Sequence, residues 1–160
     1  MQIKGFDVYF QMCILADEIQ AVKNRIGWFD QYDYIINKQT GTKLIGLQLI
    51  VNKYDEHTAW LPTQSQVINM ILQLQSSTSL IIEDFEDWYK EDKEFFERLP
   101  YITFEMLYLM YYMERYNRKF WCWGCGFWKD ISEKKFEIKE RIAILNSESR
   151  IITDEHSSEE

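Results

Sequence analysis

Proline and glycine are scarce, with two prolines and six glycines in 160 residues. That is too few for a collagen-like or linker-dominated chain. Three cysteines cannot staple a small fold, so disulfides are excluded as the main source of stability. The two histidines, His57 and His156, stand in no Glu-x-x-His or His-Glu-x-x-His pattern, which leaves hard-metal and zinc-protease chemistry unsupported. No Gly-x-Gly-x-x-Gly, Gly-Lys-Ser/Thr or Gly-x-Ser-x-Gly segment occurs either, so common nucleotide and hydrolase chemistries have no local signature. Charged or amide side chains interrupt every apolar stretch before it reaches the roughly 20 residues of a membrane helix. The opening MQIKGFDVYFQMC lacks the basic, apolar and small-residue regions of a secretory signal, and a cytosolic setting is the expectation.

Apolar mass is plentiful. Hydrophobic residues make up 46% of the chain and aromatic ones 16%, carried by 10 Tyr, 10 Phe and 6 Trp. Such a chain collapses and folds, and its length suits one core. The expectation is a single globular domain over residues 1–145 and an acidic, disordered tail over 146–160. The formal charge is −8, unevenly spread. Residues 83–97 hold eight acids against two lysines, whereas residues 115–139 hold seven basic residues against three acids. A net acidic protein repels phosphate at long range and favours a basic protein partner.

Val8, Met12, Leu15, Ile19, Val22 and Ile26 recur every three or four residues and predict one N-terminal amphipathic helix, capped by Asp7 and ended by Gly27. Residues 32–37 and 43–51 flank a Gly41-containing turn and read as a β-hairpin, with Gly46 marking a bulge or a close backbone approach. Thr63 and Gln66 have capping-box spacing at the start of a helix with Val67, Met70, Ile71 and Leu74 on one face. Ile81, Phe85, Trp88, Phe95, Phe96 and Leu99 then follow helical spacing up to Pro100. Thr103 opens a third helix, apolar on nearly every side and therefore the central one. A Trp-rich turn at 120–128 closes the fold, and residues 131–145 fit helix and strand equally. The predicted class is α+β: a helix-dominated single domain with an N-terminal helix, one hairpin and three central helices.

Cys122 and Cys125 form a Cys-x-x-Cys pair, and Cys13 is the remaining thiol. One such pair supplies half a zinc site, or a redox dithiol, or two small residues packed in an aromatic turn; packing is the expectation, because a lone pair is a low-specificity match. Asp84, Asp87, Glu91 and Glu94 form a stripe on one helix. Carboxylates could hold a cation or hydrolyse a substrate only where they converge in a cleft; otherwise the stripe is a solvated face open to a basic partner. His57 lies in a polar connection and reads as a surface histidine. In segment 115–129, Arg115, Arg118, Lys119 and Lys129 could engage phosphates while Trp121, Trp123 or Trp128 stacks a base. Alternatively, the same aromatics close a small hairpin over the core.

The run Trp60-Leu61-Pro62-Thr63-Gln64, the segment Phe104–Tyr108, and Met113-Glu114-Arg115-Tyr116-Asn117 followed by Trp121 and Trp128 carry a likeness. Over residues 58–131 the chain resembles a loose group of uncharacterised phage and prophage proteins from low-GC bacteria. Those share a Trp-Leu-Pro-x-Gln helix start, an aromatic helix and a Trp-turn-Trp close. The chain departs from the group in placing Cys122-Trp123-Gly124-Cys125 at the turn. The resemblance implies a mobile-element origin and a bacterial host cytosol, and it implies no catalytic residue.

The functional expectation is a non-enzymatic, protein-binding accessory protein without cofactor. It would act on a host or phage protein with a basic surface, as an acidic inhibitor of a nucleic-acid-handling or defence protein, through Asp84, Asp87, Glu91 and Glu94. The alternative is a small nucleic-acid-binding module using Arg115, Arg118, Lys119, Trp121 and Trp123. The cysteines give a direct test, because a complete structural zinc site contributes on the order of 10 kcal/mol of folding free energy. Elemental analysis is expected to find no stoichiometric zinc, and a strong chelator to leave tryptophan fluorescence unchanged. One zinc per chain would make the 120–128 turn a metal-held element.

Overall fold

A computed structural model describes residues 5–49, 53–75, 77–137, 141 and 143–146. The expected tail lies outside the described residues except for Asn146. The fold is α+β. Its N-terminal apolar periodicity is carried by two helices, α1 (Gly5–Leu15) and α2 (Asp17–Ile26). The chain leaves helical geometry at Ala16, with φ −86° and ψ 83°. The break keeps Met12, Cys13, Ala16 and Ile19 in the core and turns Leu15 and Ile26 outward, so the repeat that predicted one helix includes residues the core does not use. Asp17 and Glu18 favour a new start there by placing negative charge at the positive end of the α2 dipole. Asp7 lies inside α1, past the helix start where it was expected to cap. Gly27 ends α2 as expected, in the left-handed conformation with φ 88°.

The hairpin gains a third strand. β1 (Tyr34–Asn37) lies between β2 (Lys43–Ile45) and β3 (Thr58–Leu61), antiparallel to both. Tyr34 pairs with Ile45 on one side and Leu61 on the other. Ile35 and Ile36 point to opposite faces, and both are buried, so the sheet is covered on both sides. β3 accordingly leaves no mark in the sequence, because its Thr-Ala-Trp-Leu is buried at every position and has no alternation to read. β2 stops at Ile45 because Gly46 presses against the loop before β1. A Cβ there would lie 2.0 Å from the Asp30 carbonyl oxygen, which is the close backbone approach expected of this glycine. Lys38–Thr42 turns with the Asn37 side chain accepting from the amides of Gln39 and Thr40.

α3 (Gln64–Leu72) begins with the expected capping box. The Gln66 amide donates to the Thr63 hydroxyl, and the Thr63 amide donates to the Gln66 side chain. Val67 and Ile71 are buried, but Leu74 lies beyond the helix and is exposed. The next expected helix is divided at Asp92 into α4 (Thr78–Glu91) and α5 (Lys93–Arg98). The Asp92 carboxylate takes Lys134 at 3.2 Å and Arg141 at 2.6 Å, contacts from distant chain that no local pattern announces. α6 (Phe104–Asn117) is capped by Thr103 and buries every residue from Met106 to Met113. The Phe85 and Tyr108 rings stack across α4 and α6, 4.1 Å apart and nearly parallel. Arg118 takes a left-handed conformation, φ 54°, and turns the chain into β4 (Lys119–Cys122), which pairs with β5 (Phe127–Asp130). This hairpin is docked on α1: Trp128 Nε1 donates to the Met12 carbonyl at 2.9 Å, and Gln11 Nε2 to the Gly126 carbonyl at 2.7 Å. Residues Ile131–Phe136 then form a 3₁₀ helix, and residues 141 and 143–146 are helical, which decides the described part of the ambiguous stretch beyond the turn at Glu137. No helix among the described residues is long and apolar enough to cross a membrane.

Two polar ties join these layers. Buried Gln20 of α2 brackets Trp60 of β3, accepting from its amide at 2.7 Å and donating to its carbonyl at 2.9 Å. Lys23 forms a buried ion pair with Asp33 at 2.6 Å, and its ammonium lies 4.8 Å from the centre of the Trp60 ring. Asp33 also accepts from the Asp30 amide and from the Gln66 side chain. Breaking one partner of such a pair strands a buried charge at a cost of about 3–5 kcal/mol. Denaturant titration of Asp33→Ala is expected to show a loss of that size, and adding Lys23→Met to it is expected to recover part of the loss. Equal stability of wild type and Asp33→Ala would remove the pair from the account of folding.

Candidate functional site

α4 carries the acidic surface, and its amphipathicity decides which acids face out. Ile81, Phe85 and Trp88 are buried. On a helix of 3.6 residues per turn, that places Glu83, Glu86, Asp87 and Lys90 on the opposite side, and all four are exposed. Leu80 and Ile82, also exposed, flank them as two apolar shoulders. The stripe read from the sequence is divided by this geometry. Asp84 and Glu91 sit on the flank toward α6, where Arg115 approaches them at 3.4 and 3.9 Å. Asp84 also accepts from the Tyr111 hydroxyl at 2.6 Å. Burial, and then this bond, raise the Tyr111 pKa well above its ordinary value, so the phenol remains a donor. Glu94 pairs with Arg98 on its own helix at 2.9 Å. Asp87 belongs to the outward face. Glu83 and Glu86 were missed, although spacing from Phe85 and Trp88 could have found them.

The tryptophans of segment 115–129 pack inward. Trp121 is buried in edge contact with Trp128, and Trp123 meets the rings of Phe95 and Tyr101. Arg115 faces the α4 acids, and Lys119 pairs with Glu18. Lys129, half-buried, lies 5.7 Å from the centre of the Phe127 ring, and exposed Arg118 caps α6. The aromatic residues expected to stack bases thus close the hairpin over the core, and stacking on Trp121 would require the hairpin to open.

Cys122 is buried at the end of β4, Cys125 is exposed in the turn, and Cys13 is buried in α1. Burial raises the Cys13 thiol pKa, which keeps it protonated. Among the described residues, no group of three or more His, Cys, Asp or Glu is arranged to hold a metal ion. His57 is half exposed beside Glu56; His156 lies outside the described residues.

The acids nearest the core are committed to ion pairs. Glu114 accepts from Trp88 Nε1 at 2.6 Å and from Lys134 at 3.0 Å. Glu137, buried, takes Arg141 at 3.0 Å and the Trp123 amide at 3.1 Å. Its pKa is raised by burial, an effect that Arg141 and the Trp123 amide oppose. Elsewhere, Tyr9, Tyr34, Lys43, Pro62 and Glu105 border a cleft of about 390 Å³. Lys43 stands 4.4 Å from the centre of the Tyr34 ring. The cleft is assembled from separate segments of chain, so no sequence spacing marks it.

No protein-family model matches the chain, and neither a curated protein nor a solved structure does. The geometry of α4 therefore carries the functional argument. It also separates structural acids from available ones. Asp84→Asn, which weakens contacts to Tyr111 and Arg115, is expected to cost about 1–2 kcal/mol, as for loss of a charged hydrogen-bond partner. Asp87→Asn is expected to stay within about 0.5 kcal/mol, as for an open surface site. Chemical denaturation of the two variants checks this, and equal effects would contradict the division.

Proposed function

We propose that this protein is a non-enzymatic binding protein that engages a basic protein surface through the outer face of α4, as an accessory factor of a phage or mobile element. One observation carries the reading: Glu83, Glu86 and Asp87 project together from a helix whose opposite side is anchored in the core by Ile81, Phe85 and Trp88. An acidic face bordered by Leu80 and Ile82 suits a partner surface that is basic at its centre, with apolar contacts at its sides. Acidic side chains held in fixed register can occupy a site that otherwise receives phosphates, which supports an inhibitor of a nucleic-acid-handling or defence protein. The likeness of residues 58–131 to phage and prophage proteins supports the setting.

The test is affinity capture from a bacterial host lysate, with wild type compared with Glu83→Lys/Glu86→Lys/Asp87→Lys. The captured partner is expected to be basic, to be lost with the triple variant and to be released as salt rises. The Glu94→Lys variant is expected to retain it, since that acid is turned toward Arg98. Unchanged recovery with the triple variant would remove α4 from the mechanism.

A further inference from the structure

We propose that Cys122 and Cys125 form a reversible dithiol site at the tip of the β4–β5 hairpin, oxidised to an intramolecular disulfide by hydrogen peroxide. The turn supplies the geometry. The Cys122 carbonyl accepts from the amides of Cys125 at 3.3 Å and Gly126 at 2.8 Å, and Gly126 completes the turn with φ +76°. Residues 122–126 are thereby wrapped into one helix-like turn. A turn closed by a bond between its first and fourth residues brings their Cα atoms within about 7 Å. A disulfide has its Cα atoms about 4.4–6.8 Å apart. The movement required is local, and it falls at a hairpin tip containing Gly124 and Gly126.

Accessibility divides the roles. Cys125 is exposed and meets a soluble oxidant, while Cys122 is buried at the end of β4. The Cys125 thiolate attacks a peroxide oxygen, the O–O bond breaks, and Cys125 becomes a sulfenic acid as hydroxide leaves and is protonated. The Cys122 sulfur then attacks the Cys125 sulfur. The S–S bond forms, the S–OH bond breaks, and hydroxide departs with the Cys122 proton as water. Two thiols lose two electrons and two protons, and the peroxide is reduced to two waters. The site is coupled to its surroundings, because the turn is held by Gln11 through the Gly126 carbonyl and by Glu137 through the Trp123 amide. Closing the disulfide therefore shifts Trp123 against Phe95 and Tyr101.

The experiment treats the reduced, folded full chain with hydrogen peroxide, then alkylates and maps peptides by mass spectrometry. The expected result is loss of alkylation at both Cys122 and Cys125 as one linked peptide pair, restored by dithiothreitol, with a change in tryptophan emission. Cys13, fully buried, is the internal control and stays reduced until the protein is unfolded. Cys122→Ala is expected to stop at a dimedone-reactive Cys125 sulfenic acid, and Cys125→Ser to abolish oxidation of Cys122. Wild-type protein in which Cys125 is oxidised alone, or in which neither thiol reacts, overturns the proposal without recourse to any variant. Loss of Cys122 at the wild-type rate in Cys125→Ser would also overturn it.

Discussion

The buried ion pair between Lys23 and Asp33 is the constraint on which the arrangement of layers depends. Neither charge is tolerable alone in the interior, so α2 and the entry to β1 must meet at this point. Asp33 also receives the Gln66 side chain, which belongs to the capping box that starts α3. One carboxylate thereby sets the positions of a helix, a strand and the next helix start. Gln20, one turn before Lys23, fixes β3 to α2 through both backbone groups of Trp60. A buried amide with donor and acceptor both satisfied in this way specifies a register that apolar contacts alone would leave free.

Around that frame the aromatic residues build the other half of the core. The middle of α6, Met106 to Met113, is covered on all sides: α4 contributes Phe85 and Trp88, and the hairpin after it contributes Trp121. The polar ends of these rings find partners at the edge of the core, as Trp88 does with Glu114 and Trp128 with the Met12 carbonyl. Asp92 and Glu137 bind the C-terminal cations Lys134 and Arg141, tying the last described segment to the junction between α4 and α5. Many of the basic residues in the second half of the chain are used in this way. That leaves the outward acids of α4 as a surface the fold does not itself consume, and the proposed binding role follows from that inequality.

Segments whose structure is set by neighbours along the chain were legible. The Thr63–Gln66 cap, the Thr103 start, the Gly27 stop and the inward positions Ile81, Phe85 and Trp88 all rest on interactions spanning a few residues. The candidate site was legible only in part. Acidity and helical spacing pointed to α4, but Asp84 and Glu91 are drawn aside by Arg115, which lies more than twenty residues further along the chain. The tryptophans of 120–128 were visible as a cluster, while their inward direction follows from β4 and β5 packing on α1, more than a hundred residues away.

By itself, then, the amino-acid sequence determined an α+β chain with an almost wholly apolar helix near its centre, an acidic helix before it and a tight aromatic turn after it. Periodicity, caps and composition act locally and can be read locally. The breaks at Ala16 and Asp92, the third strand at Thr58–Leu61 and the engagement of Asp84 and Glu91 by Arg115 needed tertiary structure. Each depends on a desolvated contact whose partners meet only after collapse: the core selecting Met12 and Ile19 over Leu15, Lys134 and Arg141 reaching Asp92, and Ile35 and Trp60 pairing inside a sheet covered on both faces. Burial makes those contacts strong, and only the folded chain defines what is buried.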